Sequence, residues 1–414
     1  MNKERAFTLI ELLAVIVILA IIALISTPII VGVIDKSRKG AFEDSAYGIL
    51  EAGRIYFIDA LAAENKFTGA TFVFSNKTGL KVSGEIPTGG SLVLNDSGKS
   101  AMALYDKDKK WCALKNYDEE KITIKDYKED ECVIPLIGGM RQIVQNGVVK
   151  EGEGLYQDTT SSGGYLYKGA NPDNFFLFDG KCFSLVRMDL HGIGKLIYEG
   201  NAQSNQCVGV RTLGGGDIGT LSWNALSINN WYDENTTIRN VLEALGRGES
   251  YGGFQIGALD NVLSQKWYVG ALSYVEGQTL EEDIRQEKSG KLTGLAGKDE
   301  YIWENKIGLL NMSDYVKAST YSGCTSFATS HVRANETEYN CQIDNYLFKN
   351  VNPSWLLNPY AMDSMSATSS SCYGLGTWAD SAFPRALRPT LYVRLDRSVT
   401  GKGTPESPYT LVST

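Results

Sequence analysis

From Leu12 to Ile34 the chain runs for 23 residues without a formal charge, and Ser26 and Thr27 carry the only polar side chains in the run. As a helix rising 1.5 Å per residue it is about 35 Å long, enough to cross the roughly 30 Å hydrocarbon core of a bilayer. It is apolar on every face, unlike a helix lying between a core and water. A membrane span is therefore expected in preference to a buried core helix. Lys3 and Arg5 precede the span, which keeps Met1 cytoplasmic and places the bulk of the chain outside the cell. Lys36, Arg38 and Lys39 on the far side weigh against that orientation. A secretory signal peptide fits less well, because the apolar stretch is too long and Ser26-Thr27-Pro28 is followed by more apolar residues. One residue is out of place: Glu11 stands at the head of the apolar block. A carboxylate at the edge of a bilayer costs on the order of a few kcal/mol unless something pairs with it, which marks Glu11 as a functional residue.

The segment Ala6-Phe7-Thr8-Leu9-Ile10-Glu11-Leu12-Leu13 resembles the class III prepilin signal of type IV pilins and of the pseudopilins of type II secretion and DNA-uptake machines. The shared pattern is a short basic leader, a small residue, Phe, and a Glu four residues later heading a long apolar helix. The resemblance implies that a membrane peptidase cuts between Ala6 and Phe7 and methylates the Phe7 amine. It also implies that Glu11 neutralises the Phe7 amine of a neighbouring subunit during assembly, as a carboxylate in low dielectric is stabilised by an adjacent cation. Pro28 matches the helix-loosening proline of these filaments, and proline removes an intrahelical hydrogen bond. Ala6 departs from the family's usual Gly; alanine is small and tolerated in some members, so cleavage is still expected, at a lower rate.

Beyond the span the pattern turns amphipathic. Phe42, Ala46, Ile49, Ala52 or Gly53, Tyr56 and Ala60 recur every three or four residues, with charged residues between them. The spacing predicts a helix that continues to about Asn65, so that residues 7–34 form its membrane half and residues 35–65 its amphipathic half, after a leader at 1–6. Residues 66–134 read as a small antiparallel sheet, with strands predicted in FTGATFVF, SLVLND and KITIKDY. Cys112 and Cys132, 20 residues apart, are candidates for a disulfide outside the cytoplasm, worth about 3 kcal/mol for a loop of that size. The glycine- and serine-rich stretch within 135–164 predicts a linker, and residues 165–414 a larger mixed, β-rich accessory domain. The expected fold class is α+β, with a small sheet packed on the long helix.

Composition narrows the chemistry. Lys and Arg number 40 against 48 Asp and Glu, a net charge of -8 that makes a poor surface for duplex DNA. The two histidines, His191 and His331, lie 140 positions apart in loop-like sequence, and no motif sets a nucleophile beside either. Gly214-Gly215-Gly216-Asp217 lacks a P-loop lysine and reads as a loop. Asp106 and Asp108 lack the further ligands of an EF-type site and read as a solvated turn. No catalytic residue, metal or cofactor is expected. Arg385, Arg388, Arg394 and Arg397 read as internal ion-pair partners, with a basic aromatic patch for anionic glycans or single-stranded nucleic acid as the alternative. Six of the seven tryptophans follow position 220, and either a core or a sugar-binding surface accounts for them. By spacing, Cys182 with Cys207 and Cys324 with Cys341 are the local pairs, but Cys372 could equally pair with Cys324 or Cys341, so connectivity stays open.

Residues 165–414 also resemble a domain of uncharacterised surface proteins of Gram-positive bacteria, through FFLFDGKCFSLVRMDLHGIGKLIYEGN, KIGLLNMSDYVKAS, PSWLLNPY and the closing ALRPTLYVRLDRSVTGKGTPESPYTL. Its closing strand with a nearby tryptophan is similar to lectin-like and sulfatase-modifying folds. The pilin resemblance implies a single-pass membrane protein before assembly and part of a pilus or cell surface afterwards. An accessory domain of about 250 residues, too large for every protomer of a packed filament to carry, points to a minor or tip pilin, and the lack of catalytic motifs to a protein that is not an enzyme. Its expected partners are other pilin subunits, the prepilin peptidase and a glycan or other surface ligand, with nucleic acid disfavoured. The alternatives are a pseudopilin of a secretion or competence machine, and a membrane-tethered receptor or enzyme that never polymerises.

Overall fold

The computed structural model describes residues 9–64, 67, 70–74, 80–82, 86–95, 97–106, 108, 110–117, 119–128, 131–132, 134, 138–145, 147–160, 162–212, 214–224, 226, 231–233, 236–273, 277–289, 301–326, 341, 344–348, 352–359, 366–371, 374–380, 384–395 and 397–412. The chain divides into two compact units, Met1–Pro135 and Leu136–Thr414.

Unit one begins with helix α1 (Leu9–Glu64), 56 residues and about 84 Å of continuous helix. Its second half buries Phe42, Ala46, Ile49 and Ala52, the stripe that the three-and-four spacing predicts. That stripe packs on a five-stranded antiparallel meander: β1 (Ala70–Val73), β2 (Gly89–Leu94), β3 (Ser100–Tyr105), β4 (Trp111–Lys115) and β5 (Thr123–Asp126). Alternate residues face the helix, so Leu92 and Leu94 of β2, Met102 and Leu104 of β3, and Trp111 and Ala113 of β4 share one core with α1. Close approach at the middle requires Gly53, where a Cβ would lie 2.7 Å from Leu92 Cδ2.

The central strands β3 and β4 fall outside the three predicted segments. SAMALY and WCALK contain no Val, Ile or Thr, and their signal lies instead in the turns that frame them. Asn95 Oδ1 accepts the amides of Ser97 (3.1 Å) and Lys99 (2.8 Å), turning β2 into β3. Asp106 Oδ1 accepts the amide of Lys110 at 2.6 Å and turns β3 into β4, so this carboxylate is a turn former. A disulfide joins Cys112 to Cys132 and fastens β4 to the chain beyond β5.

Unit two is built on a large sheet. Its strands are β6 (Gly154–Gln157), β7 (Tyr165–Lys168), β8 (Phe175–Phe178), β9 (Lys181–Met188), β10 (Ile193–Asn201), β14 (Ile307–Gly308), β19 (Thr390–Arg394), β20 (Val399–Thr400) and β21 (Tyr409–Leu411), in the order β14-β19-β10-β9-β8-β21-β20, with the β6–β7 hairpin joined to β9. A second sheet orders β11 (Thr220–Leu221), β18 (Arg385–Ala386), β15 (Ser354–Pro359), β16 (Ser366–Ser371) and β17 (Gly374–Asp380), and β12 (Gln265–Tyr268) pairs with β13 (Ile302–Asn305). Among the described residues four α-helices belong to the unit: α2 (Gly138–Gln145), α3 (Thr237–Gly246), α4 (Leu280–Ser289) and α5 (Met312–Lys317). The closing strand β19 is not at an edge; it lies between β10 and β14, with Leu391 opposite both Leu196 and Ile307.

One expectation is corrected here, and one open choice is resolved. The stretch 135–164 is not a bare linker: it carries α2 and β6, and Met140, Ile143 and Leu155 enter the core of unit two. Their apolar side chains are spaced among glycines and hydroxyl residues, which mask the pattern. The tryptophans are core rather than surface wherever their side chains are described beyond position 220. Trp223, Trp231, Trp303 and Trp355 stack edge-to-face with centroids 5.0–5.7 Å apart, each 8% exposed or less.

Ile49 is fully buried where α1 meets the sheet. Ile49→Ala is expected to lower the stability of unit one by about 2–5 kcal/mol. Limited proteolysis in denaturant would read this as earlier cutting between residues 70 and 126, with cleavage of unit two unchanged.

Candidate functional site

The apolar half of α1 has no protein covering it. Among the described side chains between Leu9 and Ile34 the large apolar ones are exposed, Leu9 by 83% and Leu24 by 80%. A patch of that size in water drives association or membrane insertion. Within the run Thr27 Oγ1 donates to the Ala23 carbonyl at 2.6 Å and Ser26 Oγ donates to the Ile22 carbonyl. Both hydroxyls are thus satisfied inside the helix, as an apolar solvent demands. Pro28 has no amide hydrogen to give the Leu24 carbonyl, and these side-chain bonds lie on the two carbonyls just before it. Helix assignment nevertheless runs through Pro28 without a break. Glu11 lies in the first turn of α1, and Ala6 and Phe7 lie outside the described residues.

Charge returns at Asp35, whose carboxylate pairs with Lys110 at 2.7 Å, both side chains about half exposed. Lys110 comes from the loop between β3 and β4, so this pair ties the sheet to α1 at the point where the apolar run ends. An open pair of this kind is worth at most about 1 kcal/mol. Its importance is positional.

Unit two contains two groups of buried charge. In the first, Glu199 of β10 lies between two arginines. Arg388 Nη2 is 3.1 Å from Glu199 Oε2, Ser184 Oγ donates to Oε1 at 2.5 Å, and Arg211 Nη2 donates to Ser184 Oγ at 2.7 Å. Arg211 also donates to Asn174 Oδ1 and lies over the Phe175 ring. In the second, Lys195 of β10 meets Asp314 of α5 at 2.5 Å, and Lys317 of α5 meets Asp158 at 3.1 Å. Burial opposes ionisation of Asp314, but Lys195 overrides it and holds the carboxyl below the ordinary carboxylate value. Burial likewise works against the Asp158 carboxylate, and Lys317 and Arg187 together bring it down. Glu287 of α4 differs: it accepts the Ser313 amide (2.7 Å) and hydroxyl (2.6 Å), yet burial prevails and pushes its carboxyl up to about 7.

The residues singled out in the sequence do not converge on one centre. Cys182–Cys207 and Cys324–Cys341 are disulfides, which resolves the local pairing, and Cys372 and His331 lie outside the described residues. His191 sits in the β9–β10 turn, where Asp189 Oδ1 accepts its amide at 2.9 Å. Gly215 and Gly216 press on backbone: added Cβ atoms would lie 2.1 Å from the Val210 carbonyl and 2.3 Å from that of Tyr198. Their role is packing against β10. Of the arginines, Arg388 is in the buried network and Arg397 is exposed, so no single basic patch forms from them. Among the described residues no three His, Cys, Asp or Glu side chains gather as a metal site. Sequence reasoning missed Lys195, Glu199, Asp158, Glu287 and Lys317. Its available clue was the pair of charges four apart in the otherwise apolar strand IGKLIYEGN.

Residues 1–27 match the family model described as the prokaryotic N-terminal methylation motif. No curated protein matches the chain, and no solved structure does. The motif supports a protein of type IV pilin or pseudopilin kind, processed by a prepilin peptidase and assembled with other pilins. None of the comparisons supports the resemblance read over residues 165–414.

The buried Glu287 carboxyl gives a pH test. Its ordinary value is 4.5 and its folded value about 7, so between them the folded chain keeps a proton that the unfolded chain has released. Its contribution to stability is whole below pH 4.5 and is lost as the pH rises through about 7, at no more than about 1.4 kcal/mol per pH unit. Glu287→Gln should therefore gain stability relative to the unmodified chain on going from pH 5 to pH 8 in thermal unfolding. Parallel curves for the two proteins would exclude this role.

Proposed function

We propose that the chain is a minor or tip subunit of a type IV pilin-like filament, anchored by α1 and presenting unit two for adhesion to a surface ligand. The carrying observation is that the methylation motif at residues 1–27 runs directly into one helix whose apolar half is exposed and whose amphipathic half holds a small antiparallel sheet. Unit two supports the choice of a minor position. It spans 279 residues (414 minus 135), more than a typical whole domain. Carried by every protomer, a domain of that size crowds a helical array; a single copy at the tip meets no such restraint. The role is binding and structural rather than catalytic, and the buried acids and bases described above fit it, being engaged by partners within the core. In this reading the peptidase cuts between Ala6 and Phe7, the new Phe7 amine is methylated, and Glu11 meets the Phe7 amine of a neighbour in the apolar packing of the helices.

Processing is tested by mass spectrometry of the mature N-terminus, which should be methylated Phe7. An intact Met1, or a cut after Thr27, overturns the reading.

Assembly is tested at Glu11. Glu11→Val removes an insertion cost, so the variant should still reach the membrane. It should be depleted at least tenfold from sheared filaments while membranes keep it. Wild-type amounts in the sheared fraction would show that Glu11 takes no part in assembly and would favour a tethered protein that never polymerises. The unmodified chain should be present at a few copies per filament, and a stoichiometric amount would exclude the tip position.

A further inference from the structure

A lysine and an aspartate buried together in an apolar core are costly, because two ions have left water for one contact. Lys195 and Asp314 are such a pair, with side chains 3% and 6% exposed and Nζ 2.5 Å from Oδ2. They come from positions 119 apart, Lys195 on β10 and Asp314 in the first turn of α5. The rings of Trp267 and Tyr392 wall the amine, each centred 5.6 Å from Nζ. The Asn311 amide donates to the same Asp314 oxygen at 3.0 Å and fixes the carboxyl's direction. Glu287, bonded to the neighbouring Ser313, feels both charges and is an uncharged acid through the acidic range.

Lys317, also buried in unit two, is held differently. Lys317 Nζ has three oxygen acceptors, Asp158 Oδ2 at 3.1 Å, Thr160 Oγ1 at 2.8 Å and Ser162 Oγ at 3.0 Å, one for each of its protons. Lys195 has a single carboxylate oxygen, the Tyr392 side chain and an aromatic wall.

We propose that Lys195 and Asp314 condense into an intramolecular isopeptide bond between Nζ and Cγ. The ammonium first passes one proton to the carboxylate, leaving an amine beside a carboxylic acid. The amine nitrogen attacks Cγ, the tetrahedral adduct expels its hydroxyl, and that group leaves as water with a proton from the nitrogen. One C–N bond forms and one C–O bond breaks. No oxidant, reductant or other reactant is consumed. Two features of the site favour the product: the amide carries no charge and so removes the burial penalty of both ions, and the packed surroundings exclude the water that hydrolysis needs. Holding the groups in contact supplies the rate, since fixed neighbours react as if at effective concentrations of about 10⁵ M or more. The bond would fasten α5 to the centre of the main sheet.

The test uses the full chain, purified from membranes in detergent, then reduced, alkylated and digested with trypsin. One branched product is expected, joining residues 188–211, uncut at Lys195, to residues 307–317, and lighter than the two peptides together by about 18 Da, the mass of the water lost. Lys195→Arg keeps the charge pair but should release residues 188–195, 196–211 and 307–317 separately. Recovery of those same separate peptides from protease-resistant, folded wild-type protein overturns the proposal. So does a branched product at Lys317 in place of Lys195. Because the wild-type digest alone decides, a failure of the variant to fold leaves the conclusion intact.

Discussion

The exposed apolar half of α1 has to be covered by something other than water, and the remaining architecture of unit one follows from that demand. Lipid satisfies it before assembly, and packed neighbouring helices are the apolar alternative. The same helix then changes character within a few residues of Asp35 and becomes the scaffold of a sheet. Because the rod is continuous, the sheet is held at a fixed distance from the apolar run. The position of the head is therefore set by helical rise, not by a hinge.

Much of unit one was legible because its constraints are local. The all-round hydrophobicity of 12–34, the three-and-four spacing from Phe42 to Ala60, and the motif around Phe7 and Glu11 each need only a short window. β3 and β4 were not legible, since Ala, Met, Leu and Trp fill strand positions that the sheet's own neighbours dictate. The same limit hid α2 and β6, whose Met140, Ile143 and Leu155 have meaning only against a core built from residues far along the chain. Disulfides fell between: the spacing offered the right pairs, but geometry alone selects them.

The buried charges of unit two were beyond sequence reasoning for a different reason. Lys195 and Glu199 interrupt an apolar strand, yet their partners Asp314 and Arg388 stand 119 and 189 positions away. No periodicity connects them. Together they hold β10 to α5 and to the approach of the closing strand, so that the central strand is specified by charge matching as well as by apolar packing. A misregistered β10 would leave ions unpaired in a dry core, which costs far more than a displaced methyl group.

The place of β19 between β10 and β14, and of β21 beside β8, gives the chain an order of events during folding. Neither β10 nor β8 has its full set of neighbours until residues about 190 to 230 positions further on have arrived. A polypeptide that becomes available from its N-terminal side first leaves the large sheet open until its last residues arrive, while the meander of unit one, with every pairing between successive strands, closes early. Completion of unit two is thus a late, cooperative step that waits for two short strands near the end of the chain.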